Sequence, residues 1–256
     1  MFARVTAKLR AAGCVYAEEE CRLLMAAARD ADELDDMANR RAAGLPIEHI
    51  IGWVEFGGRR IAVDPHVFVP RYRTEFLLRQ TIGCAKPGDV VLDLCCGTAA
   101  LGVALAAAME RIELHCVDID PAAVRCARRN AAAVCGQVYE GDLFAPLPAA
   151  LRGRIDVVVA NAPYVPTDAI RRLPAEAREH EARTALDGGV DGLDIQRRIA
   201  AEALRWLAPG GYLLVETSEQ QAPYTAGIFA DNGLTPQVVS SEDMDATVVI
   251  GTRAIL

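Results

Sequence analysis

The sequence has no hydrophobic run long enough to cross a membrane. Its longest apolar run, residues 99–109, is far shorter than the roughly 20 residues that a membrane-spanning helix needs. The first basic residues, Arg4, Lys8 and Arg10, are spread along an amphipathic pattern, which is unlike a signal peptide. We therefore expect a cytoplasmic protein with no membrane partner.

Positive charge is also scarce. The chain has 27 Lys and Arg against 35 Asp and Glu, a formal net charge of −8. Proteins that gain affinity by neutralising many phosphates carry the opposite balance, so we expect no direct nucleic-acid partner. Paired arginines at 171–172 and 197–198 leave room only for a local basic patch.

The eight cysteines lack the spacing of a metal site. There is no Cys-x-x-Cys pair with accompanying histidines, and Cys95 and Cys96 are adjacent. Zinc ligands need other spacings. A disulfide framework is not expected in a long chain without a secretory signal. We expect reduced, mostly buried thiols and no metal.

What the chain does contain is typical of a globular protein, with 52% hydrophobic and 24% charged residues over 256 positions. Apolar residues recur at helical spacing over 1–44, and aromatic and β-branched residues around a Gly-Gly pair over 50–63 favour a short hairpin. We divide the chain into a helical N-terminal domain (1–50), a β-hairpin bridge (51–75) and a large domain (76–256).

In the large domain, apolar strand patterns alternate with helical ones. Strands are predicted at 89–94, 112–117, 137–139, 155–160, 212–216, 234–239 and 247–251. Helices are predicted at 98–109, 121–132 and 193–207. Short apolar strands separated by helices indicate an α/β fold with a mostly parallel, doubly wound, Rossmann-like sheet.

Polar side chains occur at or just after five of the predicted strand ends. They are Asp93, Asp118, Asp142, Asn161 and Glu216. In a doubly wound sheet, ligands bind beyond the carboxyl ends of the strands, near the switch in strand order. The pattern therefore predicts a binding site at this edge.

The loop after the first strand of the large domain is a candidate cofactor site. It lacks the Gly-x-Gly-x-x-Gly of a dinucleotide site and the lysine of a P-loop. The loop does contain Asp93 and a turn through Gly97, and a second acid, Asp118, follows the next strand. The Asp118 carboxylate can accept hydrogen bonds from both hydroxyls of a ribose. With no phosphate to hold and an acidic rim, the cofactor that fits is S-adenosylmethionine.

Simpler interpretations of these residues stay open. The loop alone could be a structural turn, and Asp118, followed by Asp120 and Pro121, could belong to a helix cap. Asp142 could accept from an adenine amino group while Leu143 packs against the ring, or it could lie in a surface turn.

The segment Asn161-Ala162-Pro163-Tyr164 follows an apolar strand. The Asn161 side-chain oxygen and the Ala162 carbonyl could accept the two N–H bonds of a planar amide or amine and aim its nitrogen at a methyl group. Pro163 favours an extended Ala162, and Tyr164 could pack on the flat group. The alternative is a strand-to-loop turn that Asn161 caps.

With these motifs the chain closely resembles the bacterial release-factor glutamine methyltransferases, over nearly its whole length. Beyond the segments above, four stretches carry the resemblance. They are Arg40-Arg41…Gly44-x-Pro46…Ile50-x-Gly52…Glu55-Phe56, Val69-Pro70-Arg71-x-x-Thr74-Glu75, Ala185-Leu186-x-Gly188-Gly189-x-Asp191-Gly192-Leu193, and Glu216-x-x-x-Gln220.

The resemblance implies a class I S-adenosylmethionine-dependent methyltransferase domain and a small helical N-terminal domain that helps to dock the protein substrate. The reaction would methylate the glutamine amide of the Gly-Gly-Gln loop of peptide-chain release factors. Cofactor-binding residues would be Asp93, Cys95, Gly97, Asp118, Ile119, Asp142, Leu143 and Asn161. Substrate-binding residues would be Arg71, Thr74, Glu75, Tyr164 and Glu216. Catalysis would rest on residues 161–164, and we expect a monomer.

The chain departs from the family pattern at three places. Ala162 replaces the first proline of the usual Asn-Pro-Pro-Tyr, which keeps the carbonyl acceptor but loses a fixed φ. Cys95 and Ala99 stand at two glycine positions of the cofactor loop. Tyr72 and Arg73 stand where the family often carries proline and an acid. These changes indicate a divergent branch.

Two other functions fit the same residues. An adenine-N6 or other nucleic-acid methyltransferase would hold an exocyclic amine in the same way, although the net charge of −8 disfavours it. A protein that binds S-adenosylmethionine without turnover would explain the altered glycines. The retained Asn161 and Asp118 argue against it.

Overall fold

The computed structural model describes residues 1–255. Its first part is helical, as the sequence predicts, with α1 (Phe2–Ala11), α2 (Ala17–Ala27), α3 (Ala31–Ala42) and α4 (Ile47–Ile51). These helices bury an apolar cluster of their own, which includes Leu9, Leu24, Leu34 and Ile50. The side chain of Asp30 caps α3 by accepting a hydrogen bond from the backbone of Glu33.

The predicted hairpin is present as β1 (Trp53–Phe56) and β2 (Arg59–Ala62), which pair antiparallel. A helix that the sequence analysis did not assign, α5 (Thr74–Cys84), follows it. This helix buries Leu77 and Leu78 against the sheet domain. It begins inside the segment that the sequence analysis assigned to the bridge.

The remaining strands form one seven-stranded sheet in the order β5-β4-β3-β6-β7-β9-β8. They are β3 (Val90–Leu94), β4 (Glu113–Asp118), β5 (Gln137–Glu140), β6 (Ile155–Ala160), β7 (Leu207–Thr217), β8 (Leu234–Ser241) and β9 (Ala246–Arg253). Only β9 runs antiparallel to its neighbours. The prediction of a mostly parallel, doubly wound sheet is confirmed.

Five further helices complete the large domain. They are α6 (Ala100–Ala108), α7 (Pro121–Ala131), α8 (Ala175–His180), α9 (Asp194–Trp206) and α10 (Ala222–Asp231). The sequence pattern does not indicate α8 and α10, and it places the start of β7 at residue 212, although the strand begins at residue 207. The extra residues pass through Pro209-Gly210-Gly211, where the pairing register with β6 shifts.

Both faces of the sheet are covered, because alternate residues of its central strands enter different cores. Leu92 and Val158 pack into one apolar cluster, whereas Val91 and Val157 pack into the other. From β3 the chain first proceeds outward through β4 and β5 and then returns to the other side as β6. The carboxyl ends of β3 and β6 therefore flank the switch point where such folds bind ligands.

Arg41 joins the N-terminal helices to the large domain. Its guanidinium donates to both carboxylate oxygens of Glu20, at 2.8 and 2.9 Å, and also to Glu176 on α8. The Arg41 and Glu20 side chains are only 9% and 12% exposed. Among residues 1–255, no helix combines the length and the apolarity needed to span a membrane.

We predict that Arg41→Ala lowers the free energy of unfolding by about 3 kcal/mol, because it leaves the buried Glu20 carboxylate without its partner. The matched control is Arg40→Ala, which removes a neighbouring, half-exposed arginine whose contact with Asp36 is 3.9 Å long and should cost under about 0.5 kcal/mol. Urea denaturation of both variants measures the difference, and equal losses would contradict the prediction.

Candidate active site

A cavity of about 600 Å³ opens at the carboxyl ends of the central strands. It collects all eight residues that the sequence assigns to cofactor binding, together with two from the adjoining segments. They are Asp93, Cys95, Gly97, Asp118, Ile119, Asp142, Leu143, Asn161, Thr74 and Pro163. Residues from five separate parts of the chain thus meet in one place.

Asp93 anchors the start of helix α6 from the end of β3. Its side chain is 1% exposed, and its Oδ2 accepts a hydrogen bond of 2.9 Å from the backbone N–H of Gly102. Burial raises the pKa of Asp93 to about 8. A Cβ at position 102 would lie 2.7 Å from the Leu114 side chain and 3.1 Å from Asp93 Oδ2. Glycine is therefore required for this close approach.

In the loop between β3 and α6, Cys95 and Ala99 adopt a backbone conformation that favours glycine. Cys95 and Ala99 have φ values of 53° and 60°, close to the 55° of Gly97. Left-handed backbone costs a residue with a side chain roughly 1–2 kcal/mol. The loop therefore holds Cys95 and Ala99 in strained backbone conformations. Burial raises the pKa of the Cys95 thiol, which does not suit a nucleophile.

Asp118 lines the cavity at the end of β4. Its Oδ2 accepts from the backbone of Gly97 at 2.8 Å and its Oδ1 from that of Asp120 at 2.9 Å. Each carboxylate oxygen can accept one further hydrogen bond. Burial raises the pKa of Asp118. The cap of α7 is Asp120, which accepts from Ala122, so capping does not occupy Asp118.

The far side of the cavity is formed by Asp142, Leu143 and Arg198. Arg198 donates to Asp142 Oδ2 at 2.6 Å, with both side chains about half exposed. Leu143 is buried and has a φ of 48°. The position of Leu143 suits packing against a planar ring, while Asp142 retains one carboxylate oxygen beyond its ion pair.

A second cavity of about 240 Å³ adjoins the first. Asn161 and Pro163 line both cavities, whereas Ala162, Tyr164 and Arg71 line only the second. The Asn161-Ala162-Pro163-Tyr164 segment therefore forms the border between the two cavities. Within residues 1–255, no group of three or more His, Cys, Asp or Glu side chains is placed to hold a metal ion.

Thr74 fixes the orientation of the Asn161 amide. The Nδ2 of Asn161 donates to Thr74 Oγ1 at 3.3 Å, while no donor among residues 1–255 occupies Asn161 Oδ1. Thr74 is 2% exposed and begins helix α5. The side-chain oxygen of Asn161 is therefore the atom left free to accept a hydrogen bond from a ligand.

The segment that follows β6 is clamped by the loop at 186–192. Gly188 donates its N–H to Val165 at 2.9 Å, and Val165 donates to Leu186 at 3.1 Å. A Cβ at position 188 would lie 2.7 Å from the Pro163 carbonyl oxygen and 2.8 Å from Tyr164 Cα. The two backbones can approach this closely only because residue 188 is a glycine.

Gln221, which the sequence analysis did not identify, holds the same segment. Its side-chain nitrogen donates to the carbonyls of Tyr164 and Asp191, both at 3.0 Å. The family motif pointed to Gln220, which is exposed. The sequence does not indicate the contact of Gln221 with Tyr164, because it forms only where the end of β7 lies beside the segment after β6.

Three residues assigned to substrate binding have other contacts. Arg71 lines the second cavity but also forms an ion pair with the buried Glu181, at 2.7 Å to both oxygens. Glu75 accepts a hydrogen bond from Gly57 of the hairpin. Neither Glu75 nor Glu216 lines either of the two cavities. Glu216 instead lies behind Tyr164, whose hydroxyl donates to it at 3.3 Å.

Comparisons with known proteins agree with this geometry. Residues 73–189 match the family model "Methyltransferase small domain". The release factor glutamine methyltransferase of Geobacter sulfurreducens is 37% identical over 216 residues, which cover 84% of this chain and 75% of the relative. That of Mycolicibacterium smegmatis is 38% identical over 206 residues, covering 80% and 73%.

Solved structures share the fold at low sequence identity. A methyltransferase from Pyrococcus furiosus aligns with a TM-score of 0.58 at 15% identity, covering 77% of this chain and 90% of that one. The ribosomal protein L11 methylase of Lactobacillus delbrueckii subsp. bulgaricus aligns with a TM-score of 0.52 at 17% identity, covering 72% and 80%.

The fold and the strand-end cavity define a class I methyltransferase, a class whose methyl donor is S-adenosylmethionine. The sequence relatives then give the family. The chain belongs to the release factor glutamine methyltransferases.

We predict that Gly188→Ala lowers kcat at least tenfold, because a shift of the clamped segment by a fraction of an ångström misaligns the Asn161 acceptor. Gly227→Ala is the control, since this exposed position in α10 has open space where a Cβ would lie. Equal turnover of the two variants in steady-state kinetics would show that the close contact is not needed.

We predict that Asp118→Ala weakens S-adenosylmethionine binding by about 1–3 kcal/mol through the loss of charge-assisted hydrogen bonds. Glu140→Ala is the matched control, because this exposed acid pairs in register with Asp118 on the neighbouring strand and lies outside the cavity. Isothermal titration calorimetry measures both variants. An unchanged affinity of the Asp118 variant would remove this residue from the donor site.

Proposed function

We propose that this protein transfers a methyl group from S-adenosylmethionine to the side-chain amide nitrogen of a glutamine, in the Gly-Gly-Gln loop of a peptide-chain release factor. The observation that carries the proposal is the position of Asn161. Its side-chain oxygen accepts from no donor among residues 1–255, its nitrogen is held by Thr74, and Asn161 lines both cavities.

The larger cavity suits the methyl donor. Asp118 offers carboxylate oxygens for the ribose hydroxyls, Leu143 an apolar wall for the adenine, and Asp142 an acceptor at the rim. When bound, S-adenosylmethionine supplies an electrophilic methyl carbon whose bond to sulfur breaks with the electron pair going to sulfur. The nearby carboxylates also favour a cationic ligand over a neutral one.

The smaller cavity suits the acceptor amide. Asn161 Oδ1 and the Ala162 carbonyl would accept hydrogen bonds from its two N–H groups. This arrangement would turn the nitrogen lone pair towards the larger cavity, which holds the methyl donor. An amide nitrogen is a poor nucleophile because its lone pair is delocalised, so orientation supplies much of the rate enhancement. Positive charge that develops on the nitrogen is stabilised by the same two acceptors.

No strong base is needed at the acceptor nitrogen. An alkylated amide nitrogen that carries positive charge is strongly acidic, so its proton passes to water. Burial raises the pKa of Tyr164 to about 12, which keeps its hydroxyl protonated at neutral pH. Tyr164 therefore contributes a packing surface and a hydrogen-bond donor rather than a base.

Three further features belong to the proposal. The acceptor is a protein rather than a nucleic acid, which the net charge of −8 supports. Residues 1–50 help to dock that protein, while residues 51–75 connect them to the methyltransferase domain at 76–256. The enzyme acts in the cytoplasm as a monomer.

Mass spectrometry of purified release factor, incubated with this protein and S-adenosylmethionine, tests the function. A gain of one methyl group on the glutamine of the Gly-Gly-Gln loop supports the proposal. An unmodified release factor, with donor binding confirmed by calorimetry, would mean a different substrate or a protein without turnover. Incubation with DNA in a parallel reaction tests the adenine-N6 alternative.

We predict that Asn161→Ala lowers kcat by at least about 100-fold, because the amide loses both its orientation and an acceptor for developing charge. Donor affinity should stay within about threefold of the unsubstituted protein, since the loss of one peripheral contact is worth under about 1 kcal/mol. Kinetics and calorimetry on the same preparation separate the two quantities. A variant that loses donor binding but keeps turnover at saturation would reverse the assigned role.

A further inference from the structure

Arg73 contacts Tyr164, which lines the acceptor cavity, and Glu216, which lies behind Tyr164. No sequence motif connects these residues. Arg73 stands immediately before helix α5, and its Nη2 donates to the Tyr164 hydroxyl at 3.0 Å. Its Nε lies 3.4 Å from Glu216 Oε1. Tyr164 in turn donates to the same oxygen of Glu216 at 3.3 Å. The three side chains therefore form a closed triangle of hydrogen bonds.

Glu216 is the buried member of this triangle. It lies at the end of β7, is 2% exposed, and its second carboxylate oxygen, Oε2, is buried without a hydrogen-bond partner among the described residues. A buried carboxylate is costly unless it is paired. Arg73 is its cationic partner. Arg73 and Tyr164 line the acceptor cavity, whereas Glu216 does not.

Residues at the start of helix α5 contact both side chains that would touch the acceptor amide, Tyr164 and Asn161. Arg73 contacts Tyr164, and the next residue, Thr74, contacts Asn161. Consecutive residues of one helix terminus therefore set the positions of the aromatic surface and of the amide acceptor. Because Glu216 lies at the end of β7 and contacts Arg73, it connects this helix terminus to the sheet.

We propose that Arg73 and Glu216 are positioning residues for the acceptor side of the site, acting through the hydroxyl of Tyr164. This inference rests on the proposed function. Arg73 stands where the family often carries an acid, and an acid there could neither donate to Tyr164 nor pair with Glu216. In this chain the orientation of Tyr164 depends on an ion pair with a buried carboxylate.

A double-mutant cycle on release-factor methylation tests the proposal. Arg73→Met and Tyr164→Phe each remove one end of the same contact, so each should lower kcat about tenfold, the loss expected for one charge-assisted hydrogen bond. The double variant should be no slower than the slower single variant. The KM for S-adenosylmethionine should change less than about twofold, because the triangle lies outside the donor cavity.

Two matched variants control for the chemical changes. Arg79→Met makes the same substitution at an exposed arginine of α5, and Glu219→Gln is the counterpart of Glu216→Gln at an exposed acid close by. Both controls should keep the kinetics of the unsubstituted protein, whereas Glu216→Gln should resemble Arg73→Met. Fold-changes of Arg73→Met and Tyr164→Phe that multiply in the double variant would overturn the proposal.

A spectroscopic readout separates this inference from the proposed function. In protein labelled with fluorotyrosine, the Tyr164 resonance is assigned from its loss in Tyr164→Phe. We expect Arg73→Met and Glu216→Gln to shift it and Arg79→Met to leave it in place. If the unsubstituted protein methylates no release factor, the proposed function has failed, while this spectrum still decides the inference. An unmoved resonance in Arg73→Met would refute it.

Discussion

The close contact between the segment after β6 and the loop at 186–192 is the constraint on which the site depends. Gly188 lies so near Pro163 and Tyr164 that no Cβ fits between the two backbones. Gln221 ties the carbonyl of Tyr164 to that of Asp191 from a third direction. An acceptor amide can be oriented only if the groups that bind it do not move, and this contact immobilises them.

The same segment joins the two halves of the reaction. Asn161 and Pro163 line the donor cavity on one side and the acceptor cavity on the other. The donor side is built by the ends of β3 and β4, where Asp93 anchors α6 and Asp118 faces the cavity. On the acceptor side, Arg73 lines the smaller cavity, and Thr74, which lines the larger cavity, holds the Asn161 amide from the start of α5. A parallel sheet brings these ends together at its switch point.

The sequence predicted the sheet and the strand-end residues because apolar runs and polar strand ends are local patterns. It did not reveal contacts between distant segments, such as those of Arg73 with Glu216 or Gln221 with Tyr164. Glu216 illustrates the difference: its place at a strand end was predicted, yet its side chain points behind Tyr164 and lines neither cavity. Helix α5 was missed because the bridge was taken to extend to residue 75.

The departures from the family pattern also become interpretable in physical terms. Cys95 and Ala99 both adopt a left-handed backbone, the conformation that favours glycine. Arg73 contacts the buried Glu216. Ala162 is buried and lines the acceptor cavity, where its carbonyl remains available as an acceptor.

A crystal structure of the protein with S-adenosylhomocysteine and a peptide that contains Gly-Gly-Gln would locate the acceptor amide. We expect the glutamine side-chain nitrogen to lie within hydrogen-bond distance of both Asn161 Oδ1 and the Ala162 carbonyl, with Asn161 Nδ2 still donating to Thr74. A glutamine bound elsewhere, or an Asn161 side chain that presents its nitrogen to the amide, would show that the proposed acceptor site is wrong.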